Sequence, residues 1–139
     1  MKNYAGDLDP LAAWEMLQSD TNAVLIDVRT DVEWQFVGLP DLTSLNKPIY
    51  AIAWQIYPDM MQNSDFAEQL TRNGIKPEQN LLFLCRSGAR SAAAAAHMTA
   101  QGYNKCWNIS GGFEGPLDAK KHRGTAGGWK AEGLPWRQS

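Results

Sequence analysis

The chain has 139 residues, 44% hydrophobic and 20% charged, with 13 Lys and Arg against 15 Asp and Glu for a net charge of −2. That length suits one hydrophobic core, and so balanced a charge argues against nucleic acid or an anionic membrane as main partner. No apolar run reaches the length of a membrane span, and the opening Met1-Lys2-Asn3-Tyr4-Ala5-Gly6-Asp7 lacks an apolar signal core, so a soluble, cytoplasmic, single domain over 1–139 is expected.

In chain order, Asp9 and Pro10 read as the cap and first residue of a helix whose Leu11, Trp14 and Leu17 recur on one face. Ala23-Val24-Leu25-Ile26-Asp27 is an apolar run ending in a carboxylate, the pattern of a buried strand with a polar tip. Thr30 to Phe36 suggests a short helical turn, Val37 to Asp41 a loop, and Lys47 to Trp54 a third strand. A helix from Asn63 is expected to stop at Gly74, and Lys76 to Asn80 turns the chain into Leu81-Leu82-Phe83-Leu84. That run reads as a strand buried on both faces, and Arg90 to Gln101 as an alanine-rich helix packed closely on a sheet. Gly102 ends it, Lys105-Cys106-Trp107-Asn108-Ile109 reads as another strand, and a further helix is expected over 113–121. The tail from Arg123 is glycine-rich and flexible in composition. Strands alternating with helices predict an α/β domain with a mainly parallel sheet, whose ligands bind beyond the carboxyl ends of the strands. Asp27 and Cys85 both fall at such ends and are expected to face one crevice.

The loop Cys85-Arg86-Ser87-Gly88-Ala89-Arg90 lies between a strand and a helix. That placement turns backbone N–H groups and the helix N-terminus toward one spot, which favours negative charge. A cysteine there is expected to ionise readily and act as a nucleophile. Gly88 permits the positive φ that lets the N–H groups converge. Arg90 is read as holding the loop or a nearby carboxylate, Arg86 as pointing outward to steer anions, and Ser91 as a helix cap whose hydroxyl could also donate to the thiolate. Asp27, Arg29 and Glu33 are read as an ion-pair scaffold. Cys106 is read as a small core residue rather than a resolving thiol. Two cysteines this far apart suit neither a zinc site nor a disulfide framework, so no metal is expected.

The spacing is C-x4-R, one residue shorter than the C-x5-R loop with which protein tyrosine phosphatases cradle a phosphate. Here the chain resembles the rhodanese family of sulfurtransferases. Asp27-Val28-Arg29, Glu33-Trp34, Arg90-Ser91, Ala94-Ala95, Met98, Gly102-Tyr103 and Asn108-Ile109-Ser110-Gly111-Gly112 are similar to that family's pattern from the first core strand onward. The resemblance implies a rhodanese-like fold and a sulfane sulfur carried as a persulfide on Cys85. It further implies that Arg86, Ser87, Gly88, Ala89 and Arg90 bind substrate, and that no cofactor is needed. The expected partners are a small sulfane-sulfur donor such as thiosulfate and a thiol or protein acceptor. Two departures stand out. Gly38-Leu39-Pro40-Asp41 is one residue shorter than the family's G-H-I-P-G-A and lacks its histidine. Ser87 stands where thiosulfate-using members often place a lysine, which predicts a poor response to thiosulfate. The rival readings are a phosphatase or arsenate-reductase-type enzyme on the same fold, and a binding module without catalysis. His97 is read as a packing or surface residue, His122 as part of a small basic patch, and the six tryptophans mostly as core or edge packing. For Trp129 and Trp136 a place in the crevice wall or against a partner is the alternative.

Overall fold

The computed structural model describes residues 3–138. In order the elements are β1 (Gly6–Leu8), α1 (Pro10–Ser19), β2 (Val24–Asp27), α2 (Asp31–Phe36), β3 (Leu39–Pro40) and a 3-10 turn at Thr43–Leu45. Then come β4 (Ile49–Ala51), β5 (Gln55–Ile56), β6 (Met61–Gln62), α3 (Phe66–Arg72), β7 (Leu81–Leu84) and α4 (Ala89–Ala100). The chain closes with β8 (Cys106–Ile109), α5 (Gly128–Ala131) and β9 (Trp136–Arg137). Five strands form one parallel sheet in the order β1-β8-β7-β2-β4. The α/β architecture expected from the alternation of elements is therefore present.

The fold follows from strand β7, which lies at the centre of the sheet and is buried along its whole length. Successive side chains on a strand point to opposite faces. Leu81, Phe83 and Cys85 join one core with Ile26 of β2, Phe66 and Leu70 of α3, and Ala94, Ala95 and Met98 of α4. Leu82 and Leu84 join the other with Leu25 of β2, Ala13 and Leu17 of α1, and Trp129 of α5. The alanines of α4 carry little bulk, so the helix lies close on β7 and β8. Each fully buried Leu or Phe in these layers contributes about 1.5–3 kcal/mol of hydrophobic stabilisation.

The helix starts follow local chemistry. The Asp9 carboxylate accepts from the Ala12 N–H at 2.8 Å, and Pro10 takes the first helical position, where its missing N–H costs nothing. Thr30 and Glu33 form a capping box at the start of α2. On α1 the buried residues are Pro10, Ala13 and Leu17, whereas Leu11 is exposed; the buried face is turned by one position from the expected one.

Two expectations at the C-terminal end are corrected. Residues 113–121 form turns rather than a helix. Gly115 has φ +74° and precedes Pro116, which disfavours the helical region for the residue before it. A Cβ on Gly115 would also fall 2.1 Å from the Gly127 carbonyl oxygen. The glycine-rich tail is likewise built into the fold. Trp129 is fully buried, its ring edge-on to Trp14, and its indole N–H donates to the Pro135 carbonyl at 2.7 Å. The segment expected as a loop, Val37 to Asp41, holds β3, which pairs antiparallel with β9.

Candidate active site

Cys85 is the first residue beyond β7, at the carboxyl end of the sheet, and is 1% exposed. The chain then turns sharply: Gly88, at φ +120°, lies just before α4 and directs its N–H at the Cys85 sulfur, 3.1 Å away. Ser91 is not the cap. It sits within the first turn of α4, fully buried, with its Oγ 3.2 Å from Cys85 Sγ and 2.6 Å from Asn108 Oδ1. Arg86, Ser87 and Ala89 are exposed.

The loop is held from behind by the turn after β8. The Phe113 N–H donates to the Cys85 carbonyl at 2.8 Å, and the Glu114 N–H to the Arg86 carbonyl at 3.0 Å. This contact requires Gly112, since a Cβ there would lie 2.5 Å from the Cys85 oxygen and 2.6 Å from the Arg86 carbonyl carbon. The same turn is anchored on α5, where the Trp129 N–H donates to the Gly112 carbonyl at 2.8 Å.

The charged residues form two separate pairs. Arg90 grips Glu33 with both guanidinium arms, Nη1 to Oε1 at 2.7 Å and Nη2 to Oε2 at 2.8 Å, and so ties the start of α4 to α2. Burial pushes the Glu33 carboxyl up, but the Arg90 and Thr30 hydrogen bonds outweigh it and hold the group below its ordinary value. The same pair keeps Arg90 firmly protonated. Asp27 and Arg29 are both fully buried and form the second pair, with Nη2 to Oδ2 at 2.7 Å and Nε to Oδ1 at 2.9 Å. Arg29 also donates to the Gly38 carbonyl at 2.7 Å and stacks over Phe113, 4.3 Å from the ring centre. Asp27 therefore does not open into the crevice with Cys85; its carboxylate faces Arg29 beneath it.

Arg86 and Arg90 line an open cleft of about 540 Å³ together with Glu33, Val37, Met60, Glu114, Lys121 and Arg123. Cations exceed carboxylates on its walls, which suits an anionic ligand. Part of the small basic patch noted in the sequence thus borders the loop. His97 lies elsewhere, beside Trp54 with ring centres 5.3 Å apart. Trp136 packs edge-on to Phe113 and under the Lys130 ammonium. The short Gly38-Leu39-Pro40 segment is pinned against the C-terminal strand, and a Cβ on Gly38 would lie 2.7 Å from the Arg137 carbonyl oxygen.

Cys106 opens β8 at the opposite end of the sheet, in register with Leu81. Cys85 lies four residues further along, or about 13 Å at the rise of a strand, beyond the reach of a disulfide. Sequence reasoning did not single out Asn108. Its position in a core strand reads as structural, and only the alternation of side chains on β8 places it beneath Ser91. Among the described residues no cluster of His, Cys, Asp or Glu is placed to hold a metal ion, and no helix is long and apolar enough to cross a membrane.

The parallel sheet with a cysteine loop leaving its central strand has the rhodanese-like fold. A rhodanese-like domain protein from Staphylococcus aureus shares this fold at 20% identity, with a TM-score of 0.57 over 100% of this chain and 99% of that one. The chain belongs to the family described as the STR4 middle domain, whose model matches residues 9–139. It is similar to Rv0390 from M. tuberculosis, whose crystal structure is 48% identical with a TM-score of 0.89 over 98% of this chain and 99% of that one. An uncharacterized protein of Rickettsia conorii is 44% identical over 90% of this chain and 91% of its own length. A thiosulfate sulfurtransferase, GlpE of Actinobacillus succinogenes, is 26% identical over 93% of this chain and 87% of its own length.

Proposed function

We propose that this protein is a sulfurtransferase that carries sulfane sulfur as a persulfide on Cys85. The Cys85 thiolate attacks the outer sulfur of a donor. The donor's bond to that sulfur breaks, and the remainder leaves with the electron pair. A nucleophilic acceptor, a small thiol or a protein thiol, then attacks the outer sulfur and releases Cys85 as the thiolate. This is double displacement through a covalent intermediate.

The observation that carries this reading is the position of the Cys85 sulfur. It closes the central strand, accepts the Gly88 N–H at 3.1 Å, and is followed by a C-x4-R loop one residue shorter than a phosphate cradle. A cysteine residue only 1% exposed favours substrates that present a narrow terminal atom, as a sulfane donor does. The cationic walls favour an anionic donor, with Arg86 steering it and Arg90 holding the loop against Glu33. Ser87, Gly88 and Ala89 supply the turn. The 26% identical thiosulfate sulfurtransferase supports the same chemistry. Two free thiols suit a reducing, cytoplasmic setting.

The test is an intact-mass measurement after mixing with thiosulfate, and separately with a polysulfide. The protein is expected to gain the mass of one sulfur atom, less readily from thiosulfate than from polysulfide, to lose it on treatment with a reducing agent, and to gain nothing as Cys85→Ser. A gain that survives in Cys85→Ser would place the sulfur elsewhere.

A further inference from the structure

Ser91 Oγ carries one proton and has three acceptors in reach: Asn108 Oδ1 at 2.6 Å, the Gly88 carbonyl at 3.2 Å and Cys85 Sγ at 3.2 Å. The shortest contact is to an amide carbonyl, a stronger acceptor than sulfur. The orientation of that amide is itself determined. Asp7 and Asn108 stand opposite each other in the parallel register of β1 and β8, and Asn108 Nδ2 donates to Asp7 Oδ1 at 3.0 Å. An ionised carboxylate only accepts hydrogen bonds, so the Asn108 NH2 must face Asp7 and its carbonyl must face Ser91.

We infer that Asp7 and Asn108 are positioning residues for Cys85: by taking the Ser91 proton they turn the Ser91 lone pairs toward the sulfur. Ser91 then accepts the proton of a resting thiol and withholds a donor from a bare thiolate, which keeps the Gly88 N–H. Turning the Ser91 proton toward the thiolate would leave two oxygens facing each other at 2.6 Å. Flipping Asn108 to relieve that would set its carbonyl against Asp7. A persulfide relaxes the conflict, because its charge sits on the outer sulfur and the inner one needs no second donor. The network thus disfavours the empty thiolate relative to both the thiol and the loaded enzyme. This deepens the sulfurtransferase reading and takes Cys85 as its reactive thiol.

The experiment is the pH dependence of Cys85 alkylation by iodoacetamide, with the label located by peptide mass. It reads the thiol whether or not the protein transfers sulfur, so its failure and that of the proposed function are separable. Other titratable or charged groups about the network are Tyr4, whose hydroxyl donates to Asp7 Oδ1 at 2.9 Å, Arg86 and Arg90 on the loop and α4, Glu33 on α2, the Asp27–Arg29 pair at the end of β2, Glu114 in the turn behind the loop, and Lys121 and Arg123 on the cleft wall; none is altered in the variants. In Asp7→Asn residue 7 can present either an oxygen or an NH2, and the Tyr4 hydroxyl, which donates to Asp7 Oδ1 at 2.9 Å, can donate to the one or accept from the other, so Asn108 is no longer held in one orientation and Ser91 can turn its proton to the thiolate. The alkylation midpoint is expected to fall by about one pH unit, the worth of one hydrogen bond to a charged group. Ser91→Ala is expected not to raise the midpoint, and Asp7→Asn is expected to have no effect in the Ser91→Ala background. A raised midpoint in Ser91→Ala, an unmoved one in Asp7→Asn, or an Asp7→Asn shift that persists without Ser91 would overturn the inference. Should a variant not fold, the unaltered protein gives the answer by NMR. The Asn108 side-chain NH2 resonances are expected to follow the acid titration of Asp7, and their indifference to it refutes the arrangement.

Discussion

The two cysteines are equally hidden, Cys85 at 1% and Cys106 at 0% exposure, and they lie on neighbouring strands of one sheet. They differ in which end of the sheet they occupy. Cys106 stands at the amino end of β8, with the Tyr103 carbonyl 3.5 Å from its sulfur, and burial pushes its thiol up to about 11. Cys85 stands at the carboxyl end of β7, where the chain turns into a helix and gives the sulfur an N–H and a hydroxyl neighbour. Burial by itself makes a cysteine inert. What separates the two is the set of polar groups that a strand-to-helix turn brings to one sulfur and a strand's amino end does not.

The largest effect expected from breaking this contrast is in sulfur loading. Cys85→Ser should abolish it, whereas Cys106→Ala should load as the parent does, read by intact mass. In the unaltered protein, iodoacetamide at mildly alkaline pH should label Cys85 and spare Cys106 until denaturant is added. Labelling of Cys106 in the folded state would show that the sheet's amino end is open.

A second break is at the turn that backs the loop. Gly112→Ala puts a methyl against the Cys85 and Arg86 backbone at φ +62° and is expected to cost about 1–3 kcal/mol. It should also slow sulfur transfer, since the obstruction is the loop itself. Gly74→Ala, at φ +79° with nothing within 4 Å, should cost about 1 kcal/mol and leave transfer intact. Equal effects of the two on activity would separate the turn from the site.

A smaller effect belongs to the Arg90–Glu33 clamp. The Glu33 carboxyl is held below its ordinary 4.5, so the folded protein keeps it ionised after the unfolded chain begins to take up protons. Its contribution is complete above that ordinary value and is lost as pH falls through the depressed one. Urea midpoints measured in acid should therefore fall more steeply for the parent than for Glu33→Gln. The smallest expected effect is on stability in Cys106→Ala, a loss of about 1 kcal/mol from one missing buried sulfur, read by denaturant unfolding.

The legible parts of this molecule were those written in adjacent residues. Leu81 to Leu84, the glycine of the loop and the alanines after it specify strand, turn and helix locally, and so place Cys85 without knowledge of the rest. Asp9-Pro10 gave its helix start for the same reason, because a cap is satisfied within one turn. The 113–121 stretch misled because Gly115, at φ +74° before Pro116, turns the chain out of the helical region and packs against the backbone of Gly127, a partner supplied by the C-terminal segment. Trp129 is the core residue that most of the tryptophans were expected to be, but the tail that carries it, flexible in composition, is fixed by its packing on Trp14 of α1.

Sequence alone thus determined where Cys85 falls, and the strand and helix on either side of it, since each depends on neighbours along the chain and on side-chain alternation. Tertiary structure decided what surrounds the sulfur. Glu33 reaches Arg90 across 57 positions and Asp7 reaches Asn108 across 101. Such pairs depend on strand order and register, which set distance in space independently of distance along the chain.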